Sequence, residues 1–236
     1  MKKKIAILQS NYIPWIGYFD IINTVDIFVV YDSVQYTKND WRNRNQIKTA
    51  NGPTWLTIPI TTSKSSTQRI SEAKIADSLW TKKHWKSIES SMAKAPFFEV
   101  FREDWLSWYQ AANELDHIHD VNLLFLKGIC GQLGIKSEFL LDSDISYSGQ
   151  TPTGKLVSIC DSLGADTYIT GPAGLNYLDK ESFSERDIQI EVMQYGYYKA
   201  YKQNHGEFTH NVSVLDLLAN VGVQSSQHLL GRTISV

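Results

Sequence analysis

Three groups of side chains in this sequence carry the means for chemistry. Gln9, Asn11, Tyr12, Trp15 and Tyr18 follow directly on the apolar run Ile5-Ala6-Ile7-Leu8, with Pro14 and Gly17 among them. Side-chain amides donate and accept hydrogen bonds without charge, which suits a sugar, a ribose or a peptide-like ligand. Gly17 would let a ligand backbone or a phosphate approach the start of a following helix, whose free N–H groups take part of an anion's charge. The same amides and rings serve equally well to satisfy loop backbone groups and to pack beneath them.

The second group is basic: Lys38, Arg42, Arg44 and Lys48, interleaved with Asn43, Asn45 and Gln46. In extended chain, residues two apart point to the same side, so Arg42 and Arg44 are expected to grip one phosphate group bidentately, and a diphosphate would fit. A solvated charged segment is the other fate of such a run. The third group is made of single titratable residues. Asp32 stands just past a second apolar run, Ile27-Phe28-Val29-Val30, where it could act as a general base, a metal-water contact, a ribose ligand or a turn cap. His84, between Lys83 and Trp85 on an expected helix, is a second candidate base. His117 and His119 do not face each other on a helix, so no metal site is expected of them. Cys130 and Cys160 lie in apolar contexts without a ligand partner at metal spacing and read as buried structural thiols. A Walker loop, a G-x-G-x-x-G fingerprint, a G-x-S-x-G elbow and a zinc motif are all absent from the sequence.

The elements that must position these groups follow from periodicity. The first apolar run, a helix over residues 15–24 and the second apolar run form a short βαβ unit, which places the amide loop and Asp32 at the carboxyl ends of parallel strands, where α/β ligand sites lie. Residues 47–60 read as a hairpin turning at Asn51-Gly52, and the Ser/Thr-rich stretch 61–67 as a mobile loop able to act as a lid. From 78 to 133 the pattern is helical: Trp80, His84, Trp85 and Ile88 share one face, Phe97, Val100, Phe101 and Trp105 the next, and a long helix over 115–133 ends at Gly134. Strand, helix, strand, short helix and strand then return over 137–193, and 212–220 reads as a last helix before a loosely held polar tail, 225–236. The expectation is a single α/β domain over residues 1–236, Rossmann-like, with a mostly parallel sheet, a helical insertion (78–133) and an accessory hairpin within 5–60; 194–236 forms a C-terminal segment.

A formal net charge of −2 leaves no global field to draw in nucleic acid or an acidic membrane, so any anion must be held locally. The 7 Trp and 12 Tyr provide faces for stacking on a sugar or base, or for core. The longest apolar runs fall short of a membrane span, so no membrane insertion and a cytoplasmic location are expected.

The runs from Gln9 to Asp20, Asp32-Ser33-Val34-Gln35-Tyr36, Trp41 to Lys48, Trp55-Leu56-Thr57-Ile58-Pro59, Lys94-Ala95-Pro96-Phe97-Phe98, Gly164 to Gly171 and Ser213 to Leu218 resemble the WbqC-like family over nearly the whole chain. That resemblance implies bacterial surface-polysaccharide (O-antigen) biosynthesis and transfer of glycine, or a related acyl unit, to the amino group of a nucleotide-linked amino sugar. On this reading Arg42, Arg44 and Lys48 hold the diphosphate, Gln9, Asn11 and Tyr12 orient the sugar, Trp15, Tyr18, Gln35 and Asn43 complete the binding set, and Asp32 or His84 deprotonates the attacking amine. A weaker likeness connects the segment Pro14 to Tyr18 to the Pro-x-His-x-Gly-His loop of nucleotidylyltransferases and ATP-dependent amide ligases, with Trp15 and Tyr18 where that loop has its phosphate-contacting histidines. The expected partners are a nucleotide sugar and a small amino acid or acyl donor. ATP with Mg²⁺ is required if ATP activates the acid; a thioester or aminoacyl-tRNA donor would dispense with it, and tRNA is the less expected of these. Nucleotidyl transfer and a non-catalytic nucleotide-sugar scaffold are the alternative readings.

Overall fold

A computed structural model describes residues 2–61 and 68–236; residues 62–67, most of the stretch read above as a lid, lie outside the described residues. In chain order the strands and helices are β1 (Lys4–Leu8), α1 (Ile16–Asn23), β2 (Ile27–Val30), β3 (Arg44–Thr49), β4 (Gly52–Thr57), α2 (Leu79–Met92), α3 (Phe98–Ala112) and α4 (Ile118–Leu133). They continue with β5 (Glu138–Leu141), α5 (Pro152–Ser162), β6 (Thr167–Thr170), α6 (Lys180–Ser184), β7 (Gln189–Met193), α7 (Val214–Val221) and β8 (Thr233–Ser235). Six strands form one sheet in the order β5-β2-β1-β6-β7-β8, and β3 and β4 form a separate antiparallel hairpin. All pairings in the large sheet are parallel except β7 with β8. The fold is therefore mixed α/β with a mostly parallel sheet, as the alternation of patterns predicts.

The sheet is covered on both faces, which is why β1 and β2 at its centre are nearly continuous apolar runs. Ile5, Ile7, Ile27 and Val29 belong to one core, completed by Leu156, Val157 and Ile159 of α5 and Phe183 of α6. Ala6, Phe28 and Val30, on the alternate positions, belong to the other, which takes in α1, the helices α2 to α4 and α7. α1 runs through this larger core with every residue from Ile16 to Ile22 buried, so a helix apolar nearly all round is the one the sequence supplies there. On α4 the stripe Ile118, Val121, Phe125, Leu126, Ile129 and Leu133 is buried, and Gly134 closes the helix in the left-handed region at φ 72°. Burial of one such large side chain stabilises by about 1.5–3 kcal/mol, so the stripe anchors α4 firmly in the larger core.

Two expectations are corrected here. The buried face of α3 is Phe98, Phe101, Trp105 and Tyr109; Val100, assigned to it from the sequence, is 60% exposed. The tail after residue 225 is not loosely held: its last residues form β8, paired to β7 from Glu191↔Ser235 to Met193↔Thr233. Gly231 N–H also donates to the buried Asp20 of α1 (2.9 Å), whose other oxygen accepts from Tyr198 (2.7 Å). Among the described residues no helix is long and apolar enough to cross a membrane.

Candidate functional site

Taken in chain order, the five parallel strands lie in the order third, second, first, fourth, fifth, so the direction of winding reverses between β1 and β6. Loops that leave two such strands in opposite directions open a crevice at their carboxyl ends. A cleft of about 440 Å³ occupies that place, lined by Leu8 and Gln9 leaving β1, Thr170 ending β6, Asn11, Tyr18, Tyr31, Arg42 and Tyr177. A second cleft, of about 470 Å³, adjoins it across Asn11 and is lined also by Pro14, Trp15, Trp41, Asn45, Gln46 and Asn211.

Beside the first cleft lies a buried polar cluster. Asp32, 1% exposed, follows β2, and three donors converge on its carboxylate: Ser10 N–H (2.8 Å), Ser10 Oγ–H (2.6 Å) and His119 Nδ1–H (2.7 Å). Asn122 donates to Ser10 Oγ (2.9 Å) and to the carbonyl of Arg42 (3.0 Å), which ties the cluster to the cleft wall. Asp142 accepts from the backbone N–H of Asp32 (3.2 Å) and from Tyr147 Oη (3.0 Å), fixing the loop beyond β2 from behind. His119 is the member of the pair with access to solvent, its side chain 14% exposed. Burial opposes its charged form, but the hydrogen bond and charge of Asp32, with Asp120 and Asp142 nearby, prevail and hold its pKa above the ordinary 6.5. A carboxylate behind an imidazole fixes the tautomer with Nδ1 protonated and leaves Nε2 as the acceptor.

The loop between β1 and α1 is held under strain. Ile13, fully buried, has φ 35°, a region that a β-branched residue enters only when its surroundings compel it. Asn45 supplies part of that compulsion by donating to the carbonyls of both Tyr12 (3.2 Å) and Ile13 (3.0 Å). Backbone strain of this kind concentrates at functional loops.

The sequence-predicted residues divide. Gln9, Asn11, Tyr18 and Arg42 line the first cleft and Asn11 and Trp15 the second, with Tyr18 donating to the Gln9 carbonyl (2.7 Å). Tyr12 is fully buried and its hydroxyl meets His84 Nδ1 (2.9 Å) and Tyr109 Oη (2.5 Å). His84 is itself 5% exposed among aromatic rings, and burial, assisted by Lys83, lowers its pKa to about 4 against an opposing hydrogen bond to Thr57. Lys48, 4% exposed, donates to Gln203 Oε1 (2.7 Å) and to the carbonyl of Glu207. Asn43 holds the Ile58 carbonyl (2.8 Å), and Gln35 forms an antiparallel bridge with Arg69.

Two further expectations are overturned. Arg42 and Arg44 do not share a phosphate-facing side of an extended strand: Arg42 lies in the turn before β3 and pairs with Asp40 (3.2 Å), whereas Arg44 opens β3 with its guanidinium 4.3 Å from the Trp55 ring centroid. Gly17 makes room for no ligand. A Cβ there would lie 2.2 Å from the Trp15 ring, so the glycine seats that indole against α1. Residues missed from the sequence are Ser10, His119 and Asn122. The available signal was Asn122, a polar residue at a position the α4 repeat reserves for the buried stripe, with His119 one turn before it.

Several buried polar atoms near the cleft have no hydrogen-bond partner among the described residues: Asn11 Oδ1, Arg42 Nε and Asn122 Oδ1. Orphans of this kind are uncommon and costly, and a ligand or water group is their usual complement. Cys130 and Cys160 are free and buried, their thiols pushed up to about 12 by burial, with Asp161 adding to the effect at Cys160. Among the described residues no cluster of three or more His, Cys, Asp and Glu is placed to hold a metal ion.

The chain matches the model of the WbqC-like protein family over residues 9–228. It is 39% identical over 227 residues to an uncharacterized protein, Rv1507c, of Mycobacterium tuberculosis (strain ATCC 25618 / H37Rv), an alignment that covers 96% of this chain and 97% of that one. No solved structure matches the chain. Sequence similarity from the amide loop through the polar cluster to the C-terminal segment places this chain in the WbqC-like protein family.

Proposed function

We propose that the protein forms an amide between glycine, or a related acyl unit, and the amino group of a nucleotide-linked amino sugar during assembly of a surface-polysaccharide precursor. The observation that carries this reading is the Asp32–His119 pair beside a cleft that holds Arg42 at the switch point of the sheet. An ammonium cannot attack a carbonyl, so such an enzyme needs a proton acceptor near the substrate amine. His119 takes that role in preference to His84, which is enclosed by the aromatic layer.

The diphosphate lies against Arg42, which offers directed N–H donors to its oxygens. Gln9, Asn11 and Tyr18 surround the ligand with uncharged donors and acceptors. The amine nitrogen attacks the carbonyl carbon of an activated acyl donor; the new C–N bond forms, the leaving group departs with the electron pair, and His119 Nε2 takes the surplus proton from nitrogen. Asp32 acts through His119, holding its tautomer and stabilising the imidazolium, while Ser10 and Asn122 hold Asp32. If the acid is activated by ATP, Mg²⁺ accompanies the nucleotide.

Mass spectrometry of the protein incubated with nucleotide-linked amino sugars, glycine, ATP and Mg²⁺ tests the reading. A product heavier by one glycyl unit, absent with His119→Gln, supports amide formation. Nucleotide-sugar binding without turnover for any donor, thioesters included, would leave a non-catalytic binder in its place.

A further inference from the structure

The second cleft has a different chemical character from the first. Among the described residues that line it none is charged, whereas the first contains Arg42. Its lining includes Trp41, 46% exposed, whose ring packs beside that of Trp55, 41% exposed and outside the lining, with centroids 5.5 Å apart and planes tilted by 40°. Trp41 is pinned through its backbone, its N–H donating to Asp40 Oδ1 (2.7 Å) and its carbonyl accepting from Tyr12 N–H (2.9 Å). Trp55 is held through its ring, with Arg44 over one face. With the Gln46 amide oriented to satisfy both neighbours, Trp55 Nε1–H donates to it (3.1 Å) and it donates to the Asn211 carbonyl (3.1 Å).

Leaving the Trp41 indole half in water is unfavourable, and holding it against Trp55 leaves a planar apolar surface to offer a ligand. Asn11 and Asn211 add uncharged donors and acceptors at the edge of this surface. Aromatic faces bordered by amides match the C–H faces and hydroxyl rim of a sugar ring, and the lack of a cation in the lining disfavours a phosphate. We infer that the Trp41-lined cleft is a neutral-saccharide subsite, separate from the Arg42 cleft and meeting it at Asn11. This deepens the proposed function by dividing the ligand between two sites: the nucleotide-linked amino sugar lies beside Arg42 and His119, and a further, neutral sugar ring lies beside Trp41.

Saturation-transfer NMR with the full-length protein and free methyl glycosides of glucose, N-acetylglucosamine and N-acetylgalactosamine tests the assignment, with UDP binding measured in parallel. Wild-type protein should bind at least one glycoside, and Trp41→Ala should weaken it by about tenfold, with UDP affinity and thermal unfolding unchanged. Trp41→Phe should restore most of the binding, and Asn211→Ala, which leaves both indoles in place, should lose part of it. Absence of glycoside binding by wild-type protein that still binds UDP would overturn the subsite, as would glycoside binding indifferent to both Trp41→Ala and Asn211→Ala. If glycosides bind as expected but neither UDP nor any donor engages the protein, the subsite stands and the amide-forming reading falls.

Discussion

His119 Nδ1 and Asp32 Oδ2 meet at 2.7 Å across 87 residues of sequence, joining the first turn of α4 to the carboxyl end of β2. If this pair supplies the proton acceptor, His119→Gln should lower kcat by 10²- to 10⁴-fold while leaving the fold intact, checked by single-turnover kinetics and circular dichroism. Asp32→Asn should do nearly as much and also shift the protein's response to pH.

The sign of that response is fixed by the direction of the His119 shift. Its pKa lies above 6.5, so activity should rise with pH through a value above 6.5, and Asp32→Asn should move that limb downward. Stability runs the other way: the contribution of the pair is fully present below 6.5 and is lost as pH rises through the raised value. Kinetic pH profiles and urea titrations over the same interval should therefore slope in opposite directions.

His84 gives an acid-side prediction. Held neutral by burial with a pKa of about 4 against 6.5 when unfolded, it makes the folded state lose stability as pH falls from 6.5 towards 4, by about 3 kcal/mol in all. Urea midpoints at pH 7, 5.5 and 4 should show the loss, and His84→Gln should flatten it.

Arg42 and Arg44 should separate in binding. Arg42→Ala should weaken UDP or a nucleotide sugar by at least about tenfold, the loss of one charge-assisted contact, and reduce the salt dependence of binding. Arg44→Ala should leave UDP affinity unchanged and instead alter Trp55 fluorescence, because its guanidinium lies 4.3 Å from that ring. Calorimetry at two salt concentrations distinguishes the two.

At Ile13 the usual ranking of substitutions should invert. Both Ile13→Ala and Ile13→Gly lose a fully buried side chain, at a cost of about 2–5 kcal/mol. Only glycine also relieves the backbone held at φ 35°, so Ile13→Gly should be more stable than Ile13→Ala by about 1 kcal/mol, measured by denaturant unfolding.

The sheet and its order of elements were legible because the helical stretches show their 3.6-residue period and the runs of β1 and β2 are short, apolar on both faces and too brief for helices. The location of the first cleft was legible too, since Gln9 and Asp32 come just past the ends of two parallel strands. Which residue accompanies Asp32 was not, because the partner comes from α4 and only the packing of that helix turns His119 inward. Local spacing also misled: two arginines two apart align only in extended chain, and a turn intervenes before Arg44. The tail failed for a related reason, as a strand of three residues at a sheet edge has no period to read until β7 is there to pair with it.

The position of β1 at the centre of the sheet bears on how the protein is made. β1 leaves the ribosome before the other strands of its sheet, yet one of its two neighbours is β6, and the contact of Lys3 N–H with Asp166 closes a separation of 163 residues. At ordinary elongation rates that interval lasts about 10 to 30 s, during which an apolar strand and the loop after it wait with one edge uncovered. The Arg42 cleft, built where those two strands part, comes into being only after more than two thirds of the chain has been synthesised, so a truncated nascent chain would expose sticky surface and bind nothing.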